Sequence, residues 1–267
     1  MHLIFPCFNE QERLDLGYFQ ELMSGLPHVT FHFVNDGSRD NTSAILHDFV
    51  SDKPNCRVHN LEVNVGKANA IRTGFLAAIH EQQSDGWLAF LDSDGSISVS
   101  DVAKLCQPLT GEIDDFSSHT TQVFAVFPSR LNVLEDVVRR PQIRKVLGNA
   151  APFILHLGWR GSVPNDTQTG FKIFRNNECF RSVIATPFKT RWMIEWEIIL
   201  RAGKNHLQIE TPRIDHWHHV MGSKIRGTEV LRVIHELFTI KFMQFEAQVR
   251  PKKFDRSYKG CNSKSET

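Results

Sequence analysis

The sequence carries no excess of charge of either sign, with 31 Lys and Arg residues against 30 Asp and Glu and a formal net charge of +1. No global field therefore draws the chain to nucleic acid or to an anionic membrane, and anions must be bound by local groups. Cysteine is sparse. Cys7, Cys56, Cys106, Cys179 and Cys261 are odd in number and show no CxxC spacing, which argues against a zinc or dithiol site and for a reducing compartment. No run of about 18 apolar residues free of charge is present, as a bilayer-spanning helix would need. The chain enters the β-type pattern His2-Leu3-Ile4-Phe5 at once, without the basic and apolar regions of a secretory leader. The expectation is a cytoplasmic protein, soluble or in peripheral contact with the inner face of a membrane. Its 267 residues suffice for one large domain with its own core.

What is present is alternation. Short β-rich runs at Leu3 to Phe5, Thr30 to Asn35, Cys56 to Glu62, Trp87 to Leu91 and Val123 to Phe127 are separated by helix-period segments. The segments run from Gln11 to Ser24, Asn41 to Ser51, Lys67 to Gln83 and Ser100 to Pro108. This pattern builds an α/β fold, a mostly parallel sheet flanked by helices, whose ligands bind in loops at the carboxyl ends of the strands. Asp40 or Asn41 suits the cap of the second helix.

After Ser129 the alternation breaks. A basic stretch, Arg139 to Lys145, leads into an apolar helical run from Val146 to Leu157. Strands are then expected at Lys172 to Phe174 and Gln208 to Thr211, with helices at Trp192 to Ala202 and Gly227 to Val249. In the last helix Val230, Leu231, Ile234, Leu237, Phe238, Lys241, Phe242 and Phe245 fall near one stripe. Packing on the domain is the expectation; with Arg250, Lys252 and Lys253, rest on a membrane surface is the other reading. Residues 250–267 have the composition of a disordered tail.

Three strand ends carry chemistry. Leu91-Asp92-Ser93-Asp94-Gly95 closes an apolar run with two carboxylates one residue apart, which strand alternation points the same way. Such hard oxygen donors suit Mg2+ or Mn2+, while the same residue types also form turns and caps. Phe33-Val34-Asn35-Asp36-Gly37-Ser38 ends in a carboxylate suited to ribose hydroxyls or a base edge, or in a plain β-turn. With the cap assigned to Asp40 or Asn41, Asp36 is expected to be free for ligand. Asn64-Val65-Gly66-Lys67-Ala68 opens a helix with a glycine and a cation suited to phosphate, or with a turn glycine alone. The cluster Asp215-His216-Trp217-His218-His219 invites a metal reading, but adjacent histidines diverge and thiolates are missing. Trp217 is a cleft wall or core.

With Pro6-Cys7-Phe8-Asn9-Glu10 and Asp166-Thr167-Gln168-Thr169-Gly170-Phe171-Lys172, these motifs stand in the order of the family-two glycosyltransferases of the GT-A fold, which the chain resembles from about Leu3 to Lys224. Trp192-x-x-Glu195-x-Glu197 and Gly222-Ser223-Lys224 resemble the polyprenyl-phosphate sugar synthases within it, dolichyl-phosphate glucose and mannose synthases included. The resemblance implies a Rossmann-like GT-A domain over residues 1–249, with a nucleotide-sugar half to about 128 and an acceptor half from about 129. It implies inverting transfer of a hexose from a UDP- or GDP-sugar to a polyprenyl phosphate, in cell-envelope glycan synthesis, with Mg2+ or Mn2+ as cofactor and no nucleic-acid partner.

By that resemblance Pro6, Phe8, Glu10 and Asp36 line the nucleoside pocket, Gly66, Lys67 and Arg72 serve the donor, and Asp92 and Asp94 serve the metal and diphosphate. Asp94, Asp166, Gln168 and Lys172 are the implied catalytic set, with Asp166 nearest the acceptor and Gln168 hydrogen-bonding the sugar or diphosphate. Arg130, Arg144, Trp192 and Lys224 fall to the acceptor. Asn35 stands where many members carry Asp, and Gly95-Ser96 where mannose synthases commonly have Leu and Gln. Glu195 and Glu197, two apart on a helix, do not share a face, so one is expected to be structural. Transfer to a saccharide hydroxyl and non-catalytic nucleotide-sugar binding stay open as other functions.

Overall fold

The computed structural model describes residues 1–81, 85–110, 123–130, 164, 166–203, 208–218 and 228–249. The strands are β1 (His2–Cys7), β2 (Thr30–Asn35), β3 (Cys56–Asn60), β4 (Trp87–Leu91), β5 (Ala125–Val126), β6 (Phe171–Arg175) and β7 (Ile209–Glu210). They form one sheet of order β3-β2-β1-β4-β6-β5-β7. β1 to β4 pair in parallel, as strands joined by helical crossovers must. β6 runs antiparallel between β4 and β5.

The helices are α1 (Leu16–Gly25), α2 (Thr42–Val50), α3 (Lys67–Glu81), α4 (Val99–Cys106), α5 (Glu178–Ile184), α6 (Ile194–Ala202) and α7 (Thr228–Val249). Because both faces of the sheet centre are covered, β1 and β4 are buried on both sides rather than alternating, while the edge strand β3 is largely polar and part-exposed. Leu3, Ile4 and Phe5 are all fully buried. Phenylalanines fill both layers. Phe5, Phe19 and Phe33 pack on one face with centroids 5.1–5.2 Å apart, and Phe75, Phe174 and Phe180 pack on the other at 4.9–5.9 Å. Cys7, Cys56, Cys106 and Cys179 are buried thiols that form no disulfide among the described residues.

Local differences from the sequence expectation have identifiable causes. The first helix starts at Leu16 rather than Gln11, with Asp15 accepting from Tyr18 N at 3.0 Å. Residues before it are held as a turn, since Gln11 N donates to Asp40 and the Gln11 side chain accepts from Asn41 N. α5 was not anticipated; its N-cap is Asn177, which accepts from Phe180 N. In α7 the face turned to the core carries Leu237 and Ile240, packed with Met193, Trp196 and Leu200. The expected stripe is divided: Leu237 is buried and Lys241 half-buried, while Ile234, Phe238, Phe242 and Phe245 face solvent. Periodicity registers an apolar face but does not say which face meets the core. The run from Val146 to Leu157 and residues 250–267 lie outside the described residues. Among the described residues no helix is long and apolar enough to cross a membrane.

Three histidines lie in a row across the parallel strands, His2 in β1, His32 in β2 and His59 in β3. His32 is fully buried and shares hydrogen bonds with His2 (2.9 Å) and His59 (3.0 Å). Burial, followed by the neighbouring His2, His59 and Arg57, pulls the His32 pKa down to about 3. An unfolded histidine titrates near 6.5, so the unfolded chain takes up this proton first as pH falls. The stability held above pH 6.5 is then lost on acidification toward 3, by about 1.4 kcal/mol per pH unit per proton. We expect denaturant unfolding between pH 6.5 and 5 to show this slope, and His32→Leu to flatten it by about one proton. An unchanged slope in the variant would refute the assignment.

Candidate active site

A cleft of about 1070 Å³ opens at the carboxyl ends of β1, β2 and β4, a size suited to a large polar ligand. Its first wall is the loop after β1. Asn9 sits at φ 48°, a conformation asparagine tolerates. It accepts from Arg39 N and donates from its own N to Ser38 Oγ, both at 2.9 Å, while Glu10 N donates to Thr42 Oγ1. The loops after β1 and β2 are thus tied together. Asn41, the formal cap of α2, makes no side-chain cap bond; Asp40 accepts from Thr42 N instead.

Asp36 lines the cleft, but it is not the free carboxylate the sequence suggested. Its oxygens accept from Val65 N (2.7 Å), Gly66 N (2.9 Å) and Asn64 Nδ2 (2.9 Å). Burial raises its pKa against the pull of those N–H groups. The residue therefore braces the loop before α3. Gly66 is required there, because its φ is 91° and a Cβ would lie 2.8 Å from Arg191 Cβ.

Lys67, the first residue of α3, reaches across to Asp92 Oδ1 at 2.6 Å and lies 5.6 Å above the Phe90 ring. Burial opposes its charge, but Asp92 and Glu195 outweigh that and raise its pKa. The other Asp92 oxygen occupies the space where Gly170 lacks a side chain, 2.6 Å from an ideal Cβ. Asp94 is about as exposed as Asp92 but has no close cationic partner among the described residues. It accepts from Ser96 N at 3.1 Å on one oxygen, and Arg13 is 4.0 Å from the other. Two carboxylates at one strand end, both lining the cleft, fit a hard divalent cation, and Asp94 offers it an oxygen outside any short ion pair. Among the described residues the one three-membered ligand grouping is His2, His32 and Glu81, away from this cleft. A cation at Asp92 and Asp94 would complete its shell with phosphate oxygens and water.

Asp166 is saturated. Arg130 grips it with Nε and Nη2 at 2.9 Å each and with its backbone N at 2.9 Å, and Thr169 Oγ1 and Gln168 N donate as well. Despite burial, these donors hold its pKa well below the usual carboxylate range. Arg130 also stacks at 5.1 Å on Trp217, and both line the cleft with Gln168. Asp166 itself does not appear in that wall. Lys172 is completely buried beneath it and donates to the Thr169 and Phe171 carbonyls. Burial lowers its pKa, with Glu195 and Asp166 pulling the other way; direct contact with substrate, as implied for a catalytic lysine, is not its geometry.

Arg72 is likewise away from the cleft. Its guanidinium donates at 2.7 Å to the carbonyls of Ile184 and Ala185, the last turn of α5. Arg144 and Lys224 lie outside the described residues. Glu197 is the structural member of its pair, accepting from Lys189 N, Thr190 N and Arg201. Glu195 is buried and is electrostatically coupled to Lys67 and Lys172. Asp101 accounts for the Asp215-His216 segment, accepting from both backbone N–H groups.

Sequence reasoning missed Glu236 of α7. Its carboxylate accepts from Arg191 N (2.8 Å) and Trp192 N (3.0 Å) and so presents Trp192 and Arg191 to the cleft. No local motif marks it, since α7 lies far along the chain from the loop it holds. Among the described residues the buried Trp192 indole N–H has no partner, an open donor in a cleft wall. Arg13, Arg39, Lys67, Arg130, Arg191 and Arg232 line the same cavity with the carboxylates Glu10, Asp36, Glu62, Asp92 and Asp94, so its cationic groups can meet an anion and its carboxylates a cation.

Several known proteins are similar to this chain. The family model "Glycosyl transferase family 2" matches residues 3–152. A dolichyl-phosphate beta-glucosyltransferase of Trichomonas vaginalis is 26% identical over 248 residues, 90% of this chain and 72% of that protein. The fold is that of the GT-A glycosyltransferases. A mannosyltransferase of Pyrobaculum calidifontis, solved with GDP-Man and Mn2+, superposes with a TM-score of 0.59 at 15% identity, over 94% of this chain and 64% of that one. Glucosyl-3-phosphoglycerate synthase of Mycobacterium tuberculosis, solved with Mn2+, UDP and phosphoglyceric acid, gives 0.55 at 18% identity, over 91% and 77%.

The Arg130–Asp166 clamp has a measurable worth. Breaking a buried pair costs about 3–5 kcal/mol, and the Arg130 side chain is 27% exposed, which reduces the figure to about 2 kcal/mol. Urea unfolding of Asp166→Asn should show that loss. In a double-mutant cycle with Arg130→Gln, the double variant should be more stable than the sum of the single losses. Strict additivity would mean that the two side chains do not act as a unit.

Proposed function

The chain belongs to glycosyl transferase family 2, and from that premise we propose that residues 1–249 act as one catalytic domain that transfers a hexose from a nucleotide-diphosphate sugar to a polyprenyl phosphate, with inversion. The family and the likeness to a dolichyl-phosphate glucosyltransferase support the reaction class. The observation that carries the acceptor is the saturated state of Asp166. A hydroxyl acceptor needs a base to take its proton. A carboxylate filled by Arg130, Thr169 and Gln168 and held strongly ionised is a poor base. A phosphate acceptor is already ionised, and it needs a fixed cation instead. Arg130, oriented by Asp166 and stacked on Trp217, is such a cation.

In this reading the donor nucleoside lies along Pro6, Phe8 and Glu10, with Asp36 Oδ1 keeping one acceptor position for it beside Val65 N. Lys67 and Gly66 face the diphosphate. A divalent cation, Mg2+ or Mn2+, held by Asp92 and Asp94 would supply further positive charge against the departing diphosphate; support comes from Mn2+ in the two solved structures. Lys67 shares Asp92 and brings the same sign of charge from the protein side. Gln168 and the open Trp192 indole N–H offer hydrogen bonds to the sugar or the acceptor phosphate. Inversion follows when the phosphate oxygen attacks the anomeric carbon opposite the leaving diphosphate.

Two measurements test the proposal. Asp94→Asn should abolish the Mn2+-dependent thermal shift given by a UDP- or GDP-sugar, because a ligand that binds only the native state raises apparent stability. Arg130→Ala should lower kcat/KM for a short-chain polyprenyl phosphate by roughly 30- to 100-fold, the worth of a charge-assisted bidentate contact, with the donor KM nearly unchanged. Transfer to an oligosaccharide that survives Arg130→Ala, with none to polyprenyl phosphate, would replace this acceptor by a saccharide hydroxyl.

A further inference from the structure

Residues 212–218, which follow β7, belong to no helix or named strand, yet they are fastened to the protein along their whole length. At the start of the segment Ser129, next to Arg130, donates from its N to the Pro212 carbonyl at 2.8 Å and accepts from Ile214 N at 3.2 Å. At its end Trp217 pairs with Ile97 in an antiparallel bridge, and His218 N donates to the Ser96 carbonyl at 3.0 Å. Between the two, Asp101 of α4 accepts from Asp215 N (3.0 Å) and His216 N (2.8 Å). One end of the segment therefore lies against the residue before Arg130, and the other against the loop of Asp94, whose carboxylate accepts from Ser96 N.

The bonds of Asp101 go beyond capping its own helix. Ser98 is the N-cap of α4 and accepts from Asp101 N, a position from which an acid ordinarily turns back to the helix end. Here the carboxylate is 2% exposed. It keeps one bond from the Ser98 hydroxyl, while its two oxygens reach backbone 114 and 115 residues away. Burial works against its charge, but the Asp215 N–H, the Ser98 hydroxyl and the His216 N–H outweigh it and lower its pKa. A buried carboxylate met by charge-assisted bonds on both oxygens is a firm anchor.

What it anchors is Trp217, the residue after His216. The indole lies 5.1 Å from the Arg130 guanidinium, whose Nε and Nη2 are taken by Asp166. Asp166 thus fixes one edge of the cation and Trp217 covers a face, which leaves Nη1 to offer an anion. Ile97, the bridge partner of Trp217, is held in turn by α1, since the Tyr18 hydroxyl donates to its carbonyl at 2.9 Å.

We propose that Asp101 is a positioning residue for the acceptor: by fastening residues 215–216 it sets Trp217 on Arg130 and so aims the cation that receives the acceptor phosphate. This rests on the polyprenyl-phosphate reading above and deepens it. Asp101 itself touches neither donor nor acceptor.

The test is steady-state transfer from a UDP- or GDP-hexose with Mn2+ to a short-chain polyprenyl phosphate, beside thermal unfolding. Asp101→Ala should lower kcat/KM for the acceptor about tenfold, the effect of a displaced contact, with the donor KM nearly unchanged. Trp217→Ala should give a loss of the same kind. The double variant should be little worse than either single one, because both act through one contact. Ser98→Ala, which removes the cap of α4 and leaves the bonds to residues 215 and 216, should lower the melting temperature and keep the wild-type rate of transfer. Asp101→Asn retains one carbonyl oxygen and gives an intermediate loss if the alanine variant folds poorly. Additive losses in the double variant, equal losses of transfer in Ser98→Ala and Asp101→Ala, or an unchanged acceptor kcat/KM in Asp101→Ala overturn the proposal. Transfer to an oligosaccharide alone removes the polyprenyl-phosphate reading; a non-additive loss with that acceptor then keeps the anchor, and an additive one overturns it.

Discussion

The 2.6 Å contact between Lys67 and Asp92 joins the start of α3 to the end of β4, and the charge arrangement of the cleft follows from it. A lysine beside an aromatic ring at a sheet edge is costly to desolvate unless it is paired. Asp92 supplies that pair on the cleft side, and Glu195 of α6 adds to it from beneath. Glu195 is in turn balanced by Lys67 and the buried Lys172. The result is a set of alternating charges that runs from the cleft surface into the core. Asp94, two residues beyond Asp92, adds a weaker pull on Lys67 and lines the cleft.

The remaining walls obey the same rule with different partners. Asp36 satisfies the backbone of the loop before α3, Asp166 fixes Arg130, and Glu236 fixes the backbone at Arg191 and Trp192. Each carboxylate is spent on holding a loop or a cation in place. What they hold, namely Lys67, Arg130, Arg191 and Trp192, is what lines the cleft. Preorganisation of this sort lets electrostatic groups act without paying for reorientation when a charged ligand arrives.

How much of this was legible varied with distance along the chain. Thr30–Asn35 and Trp87–Leu91 are strands with the bounds the sequence suggested, because apolar runs closed by turn residues are local signals. The placing of Asp92, Asp94, Gly66 and Lys67 in one cleft followed from the rule that α/β loops converge at the carboxyl edge. Arg72 went wrong for the opposite reason. It lies one turn and a half from Lys67 on the same helix, yet it points to the carboxyl end of α5, a helix more than 100 residues away in sequence that was not expected at all. Lys172 was read correctly as strand, but its burial depends on β6 lying inside the sheet, antiparallel between β4 and β5.

The sequence by itself determined the alternating half of the fold, the family and the strand ends that line the cleft, since each of these is written in residues close together in the chain. Only the tertiary structure decided which carboxylates are spent on scaffolding and which face the cleft, because that depends on partners such as Arg130 for Asp166 and the 191–192 backbone for Glu236. It also decided which apolar face of α7 is used. Periodicity reports how often an apolar residue returns to one side of a helix, whereas packing against Trp196 and Leu200 selects the side and leaves the phenylalanine stripe in solvent.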